Sequence, residues 1–230
     1  MNAYENACAN VHDLIGALPD IATLRDRCRA MAALELVISG NTEGGFFSYD
    51  PAWGPGEEAA FMDNGSGDEY AIVFTADGVF GRGFDHESPM SPWGVDDVEL
   101  WPGLVEGVPE AFRPLVTEPS FCVEEGVLQA TVVFWRETGD TAWRAGDVEF
   151  PAGRTDADGT RHLFGVLAAG TPQAYRAFAE DYYETTLPLE AVQHLWDLRP
   201  LTREAVTALN PGLPLEVVVP RLVRAGYPGV

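Results

Sequence analysis

The stretch EYAIVFTADGVFGRGF, residues 69–84, decides the fold. Two apolar runs flank a turn built on Asp77-Gly78, a pair able to take the positive backbone angles that a tight hairpin demands. The spacing predicts antiparallel pairing of residues 69–75 with 79–85. Upstream, FFSYD and EEAAFMD have the same period of two and are bounded by Gly, Pro, Asn and Asp, so the chain reads as a meander from Phe46 to about Asp85. Downstream, LQATVVFWRE and AWRAGDVEF read as further strands, with TGDT as the turn between them and RTDADGT as an exposed loop.

Helices flank this strand region. Ile21, Leu24, Cys28, Met31, Leu34 and Ile38 fall on one stripe behind an N-cap at Asp20, and SGN at 39–41 supplies the stop. Spacings of three and four are what a helix packed on a sheet needs. A short helix is expected at 104–112. Thr171 and Pro172 open a second helical region, with Tyr175, Phe178, Ala179 and Tyr182 along one face. Pro188, Pro200, Pro211, Pro214 and Pro220 keep the helices that follow short, and LEVVV at 215–219 fits a helical turn or a strand equally. The order of helices, meander, further strands and helices predicts an α+β fold: a twisted antiparallel sheet with N-terminal helices and a C-terminal helical segment. Residues 1–170 form the α+β part and 171–230 the helical segment, expected as one continuous unit because no flexible linker separates them.

Charge divides the chain unevenly. The 14 basic residues are all Arg, against 36 acidic residues, for a net charge of −22. Residues 41–160 hold 5 Arg and 24 acids, whereas residues 161–230 hold 6 Arg and 7 acids. A field of that sign repels nucleic acid and anionic lipid and speeds encounter with basic partners or cations. Without lysine, both the phosphate-binding loop lysine and Schiff-base chemistry are excluded. No apolar run reaches membrane-span length, and the first residues lack the pattern of a secretory signal, so a cytoplasmic protein without membrane contact is expected. Cys8, Cys28 and Cys122 are too widely spaced for a zinc or disulfide-exchange motif and read as small apolar residues.

The chemistry-bearing candidates are few. Ser66, in NGSGD, lacks the Gly-x-Ser-x-Gly spacing of a nucleophile elbow and reads as a turn residue. His12, His162 and His194 stand alone in sequence, while His86 lies in FDHES between Asp85 and Glu87. Such a trio offers metal ligands or general acid and base groups, although on a strand His86 points to the face opposite Asp85 and Glu87. Asp68, Glu69, Asp85 and Glu87 come from the two arms of the hairpin, and together fit a cation site, a glycosidase-like acid pair, an acidic docking patch or the solvated charge of an edge strand. The segment SPMSPWGVDDVELWPG, 88–103, is too rich in Pro and Gly for a regular element. In it Met90, Trp93 and Trp101 lie among Asp96, Asp97 and Glu99, the mixture of aromatic anchors and charge that concentrates binding energy in a small interface; the same tryptophans also suit a core plug.

The run NGSGDEYAIVFTADGVFGRGFDHES, 64–88, resembles the SUKH superfamily, whose members show a Gly-x-Gly-Asp turn, two short strands and an Asp-His-Glu-like tripeptide. The preceding helix and NTEGGFF at 41–47 also look like that family, so the likeness covers roughly residues 20–113. The family's Trp before the tripeptide is Phe84 here, the 88–103 loop is long, and residues 115–230 have no counterpart. The resemblance implies that Gly65, Gly67 and Asp68 shape the turn and that Asp85, His86 and Glu87 fix the end of the second strand, neither set being catalytic. It also implies an immunity-type inhibitor of a toxin such as a nuclease. A binding protein for a basic partner is therefore expected, acting without cofactor or metal, through Asp68, Glu69, Asp85, Glu87, Met90, Trp93, Asp96, Asp97, Glu99 and Trp101. Its rivals are a metal-dependent or acid–base hydrolase built on Asp68, Asp85, His86 and Glu87, and a scaffold or dimerisation module.

Overall fold

The computed structural model describes residues 8–40, 45–93, 98–123 and 126–230. Among them, eight α-helices accompany a six-stranded antiparallel sheet, the α+β architecture expected. In chain order the elements are α1 (Val11–Ala17), α2 (Ile21–Ser39), β1 (Phe47–Gly54), β2 (Glu57–Asp63), β3 (Glu69–Phe74), β4 (Gly78–Phe84), α3 (Arg113–Val116), β5 (Val132–Glu137), β6 (Arg144–Ala145), α4 (Thr160–Ala169), α5 (Pro172–Tyr182), α6 (Leu189–Trp196), α7 (Arg203–Leu209) and α8 (Leu215–Arg224). Each strand pairs with its neighbour in sequence, β1 to β6 in order. The central hairpin has the expected register, with Glu69 opposite Phe84 and Phe74 opposite Val79.

Its turn is made differently from the expectation. Gly78 alone in that turn has positive φ, at 144°. Asp77 does not; its N–H donates to Thr75 Oγ1 at 3.1 Å, and Thr75 N–H donates to Gly78 O at 2.8 Å. The threonine side chain thus supplies the closure that a second left-handed residue would have given. Gly78 is also irreplaceable for space, since a Cβ there would lie 2.1 Å from Arg136 O on β5.

The helices cover one face of the sheet. Asp20 caps α2 by accepting from Thr23 N–H at 3.0 Å, and Gly40 ends it in the left-handed conformation at φ 62°. Leu24, Cys28, Met31 and Leu34 are buried as the stripe predicts, but so are Ala30, Ala32, Ala33 and Val37. The reason is that α2 lies between β1 and the C-terminal helices α6, α7 and α8. Helix and sheet share one core, joined by Phe47, Met62, Tyr70, Ile72, Phe134 and Phe164.

The opposite face carries a second core of Val73, Phe80, Val133 and Trp135, closed by Met90, Leu104, Phe112 and Phe121 from the irregular segment between β4 and β5. That segment is a covering layer rather than a free loop. Both faces of β4 are consequently buried along its whole length.

Several expectations fail locally. Gly107 and Pro109 interrupt the helix expected at 104–112, which reduces to a 3₁₀ turn at Glu110–Phe112 running into α3. The strand expected in AWRAGDVEF shrinks to Arg144–Ala145, because at Gly146 the chain turns off to pack against the backbone of Gly103. The loop expected to be exposed at 154–160 is buried from Ala157 to Thr160, and helix resumes at Thr160 instead of 171. LEVVV is helical, in α8, with Pro220 inside the helix. No helix among the described residues is long and apolar enough to cross a membrane.

Candidate functional site

Three loops meet at one end of the sheet. The β2–β3 turn is wound by its own side chains: Asn64 Oδ1 accepts from Ser66 N–H at 2.8 Å and Asp68 N–H at 3.1 Å, with Gly65 and Gly67 at positive φ. This winding delivers Asp68 to the start of β3 with its side chain only 7% exposed. Strand β4 ends at Phe84, and a turn follows in which Ser88 N–H donates to Asp85 O and Glu87 N–H to Asp85 Oδ1. The strand alternation expected to separate Asp85 from His86 therefore does not apply. Helix α4 begins after Gly159, with Asp156 accepting from Arg161 N–H at 2.7 Å and His162 N–H at 3.1 Å.

Asp68 ties the three together. Its Oδ1 accepts from His86 N–H at 3.0 Å and faces His86 Nδ1 at 2.6 Å. Its Oδ2 accepts from Asn64 Nδ2 at 2.6 Å and faces His162 Nε2 at 3.1 Å. Burial alone would raise this carboxyl, but the hydrogen bonds from His86, Asn64 and His162 outweigh it and hold it below its ordinary value of 3.8. The bond to Asp68 in turn raises His86 above its ordinary 6.5, with Glu87 and Asp85 adding to the effect. Beneath lie two further carboxylates. Burial raises Asp156, and it raises Asp158, which accepts from Val11 and Thr160 N–H groups, to about 6.

Asp68, Asp85 and His86 each present a ligand atom within 4.8 Å of the others; Glu87 does not join them. These atoms are poorly placed to hold an ion, since both Asp68 oxygens and His86 Nδ1 are engaged with protein partners that a metal would have to displace. What the arrangement does supply is two half-exposed imidazoles oriented by one buried carboxylate. His162 borders a cavity of about 320 Å³ shared with Asn64, Ser66, Phe178 and Tyr182. Sequence reading missed His162, because 94 residues separate it from Asp68 and no local pattern marks it.

The remaining expected contact residues scatter. Glu69 is committed to Arg82, 2.5 Å away, whose guanidinium also stacks on Phe121. Met90 is fully buried in the second core and unable to touch a partner, which corrects its expected role. Trp101 is half-buried and donates from Nε1 to Glu149 O at 3.0 Å. Trp93 is 54% exposed, whereas the other five tryptophans are buried or half-buried. Glu99 and Glu87 are exposed, and a hydrogen bond from Glu99 N–H to Pro92 O closes the loop beside Trp93. Asp96 and Asp97 lie outside the described residues.

The covering segment is acidic. Residues 85–131, the segment of sequence between β4 and β5, hold ten acidic residues and one arginine. Glu87, Glu99, Glu106 and Glu110 are exposed there, and none forms an ion pair among the described residues. On the helical side, Arg25 and Arg29 reach Glu58, Arg199 reaches Asp197, and Arg203 reaches Glu216. No family model, curated protein or solved structure matches the chain.

Proposed function

We propose that this protein binds a basic protein partner through its covering layer, in the manner of an immunity-type inhibitor. One observation carries the reading: the segment 85–131, whose described residues cover the second face of the sheet, holds ten acids against one arginine in sequence and exposes Trp93. An exposed indole among unneutralised carboxylates suits a partner with a basic rim and an apolar pocket. An inhibitor of a nuclease must present negative charge where that enzyme expects phosphate, and the resemblance of residues 64–88 to the SUKH superfamily supports the same reading. The Asp68 cluster then acts as a clamp that fixes the ends of β3, β4 and α4 beneath the layer.

Affinity capture in about 50 mM salt tests it, comparing the wild type with a Glu99→Arg, Glu106→Arg, Glu110→Arg variant. The expected result is recovery of a basic protein by the wild type alone. Recovery of no basic protein, or equal recovery by both, overturns the reading.

A second reading rests on His162 and His86, each oriented by Asp68, with the 320 Å³ cavity beside His162 as a substrate site. It makes the chain an acid–base hydrolase. Hydrolysis of p-nitrophenyl acetate or bis(p-nitrophenyl) phosphate that disappears in His162→Ala supports this alternative; activity at the uncatalysed rate ends it.

A further inference from the structure

A separate cavity of about 480 Å³ lies between α2, β1 and α8, away from the covering layer. That volume falls within the roughly 300–1,000 Å³ of small-molecule sites. Leu36, Phe47, Tyr49 and Phe61 give it an apolar, largely aromatic wall. Glu35 lines it as well, although that residue is only 1% exposed.

Glu35 is half satisfied. Its Oε1 accepts from Phe46 N–H at 3.0 Å and from the Tyr183 hydroxyl, while its buried Oε2 has no hydrogen-bond partner. A buried carboxyl oxygen left without a partner is costly, so the site is incomplete as it stands. At the rim, Arg221 is anchored through Nη1 to Gly40 O, and Arg224 ends α8 exposed and outside every ion pair among the described residues. The rim carboxylate Asp50 is turned to its own backbone, accepting from Ala52 N–H at 2.9 Å.

We propose that this cavity binds a small aromatic acid carrying a hydroxyl at the end remote from its carboxylate. The ring occupies the aromatic wall, where edge and stacked contacts add to burial. The carboxylate reaches Arg224. The hydroxyl meets Glu35 Oε2, and because a hydroxyl both donates and accepts it satisfies that oxygen in either protonation state.

Calorimetry with 3-(4-hydroxyphenyl)propanoate is the test, run beside 3-phenylpropanoate, which lacks the hydroxyl, and 3-(4-hydroxyphenyl)propanamide, which lacks the charge. The account expects saturable one-to-one binding of the first and at least about ten-fold weaker binding of each analogue. Arg224→Gln, at an exposed helix end that leaves the fold intact, should weaken the acid by about ten-fold and leave the amide unchanged. No saturable heat means that water alone fills the cavity and overturns the proposal. Equal binding of the three compounds, or an Arg224→Gln variant that binds the acid as the wild type does, also overturns it.

Discussion

Replacing Asp68 by alanine strips four donors of their acceptor at once: His86 N–H, the His86 ring, the Asn64 amide and the His162 ring. The two imidazoles are 43% and 53% exposed and regain hydrogen bonds to water. The loss is therefore carried by His86 N–H and the Asn64 amide, whose bonds to a charged acceptor are worth about 1.5–3 kcal/mol each before water enters the gap. A net cost of about 3 kcal/mol follows, or a fall in Tm of roughly 6–12 °C for a chain of this size. The effect depends on pH with a definite sign. Asp68 is depressed, so its contribution is present above its unfolded value of about 3.8 and fades as pH falls through the folded value. His86 is raised, so its contribution is complete below its unfolded value of about 6.5 and fades as pH rises through the folded one. The stability difference between wild type and Asp68→Ala should peak between about pH 4 and 6.5. Urea unfolding across that range, with proton NMR titration of the histidines, measures both parts. A difference below about 0.5 kcal/mol at pH 5.5, or a His86 titration that does not move toward its ordinary value, refutes the clamp.

Other perturbations separate the packing claims. Gly81→Ala places a Cβ 2.3 Å from the Phe134 ring and should cost about 1–3 kcal/mol in chemical unfolding, whereas Gly16→Ala in α1 meets nothing within 4 Å and should stabilise by about 0.5–1 kcal/mol. Asp158 is held near 6, above its ordinary 3.8, so its ionisation costs the folded state about 3 kcal/mol once pH exceeds 6. Wild-type stability relative to Asp158→Asn should accordingly fall as pH rises from 4 to 7, and a flat difference would contradict the burial. Trp93→Ala should leave Tm within about 2 °C of wild type, while Trp143→Ala, which removes a buried ring bonded to Pro19 O at 2.6 Å, should cost about 3–5 kcal/mol.

The hairpin of β3 and β4 was legible because strand period and turn chemistry are local, and α2 because its cap, stripe and glycine stop all agree. The covering layer was not, since residues 85–131 bury side chains without any period. One signal did point to it. VVFW in β5 is a continuous apolar run, the mark of a strand buried on both faces, and the second face needed a cover that only the long irregular segment was free to provide. Read that way, Met90 belongs to the core and Trp93 remains outside. Alternation separates His86 from Asp85 and Glu87 only on a strand that runs on through Glu87, and β4 ends at Phe84. His162 joins Asp68 only through the return of α4 to the sheet, a contact that spacing along the chain does not reveal.

Tryptophan emission during titration of the captured basic protein into wild type and Trp93→Ala tests the binding claim most directly. The account predicts a blue shift confined to the wild type, an affinity at least about 30-fold weaker in the variant, and weakening of both as salt rises. Equal affinities, or binding indifferent to salt, would contradict it.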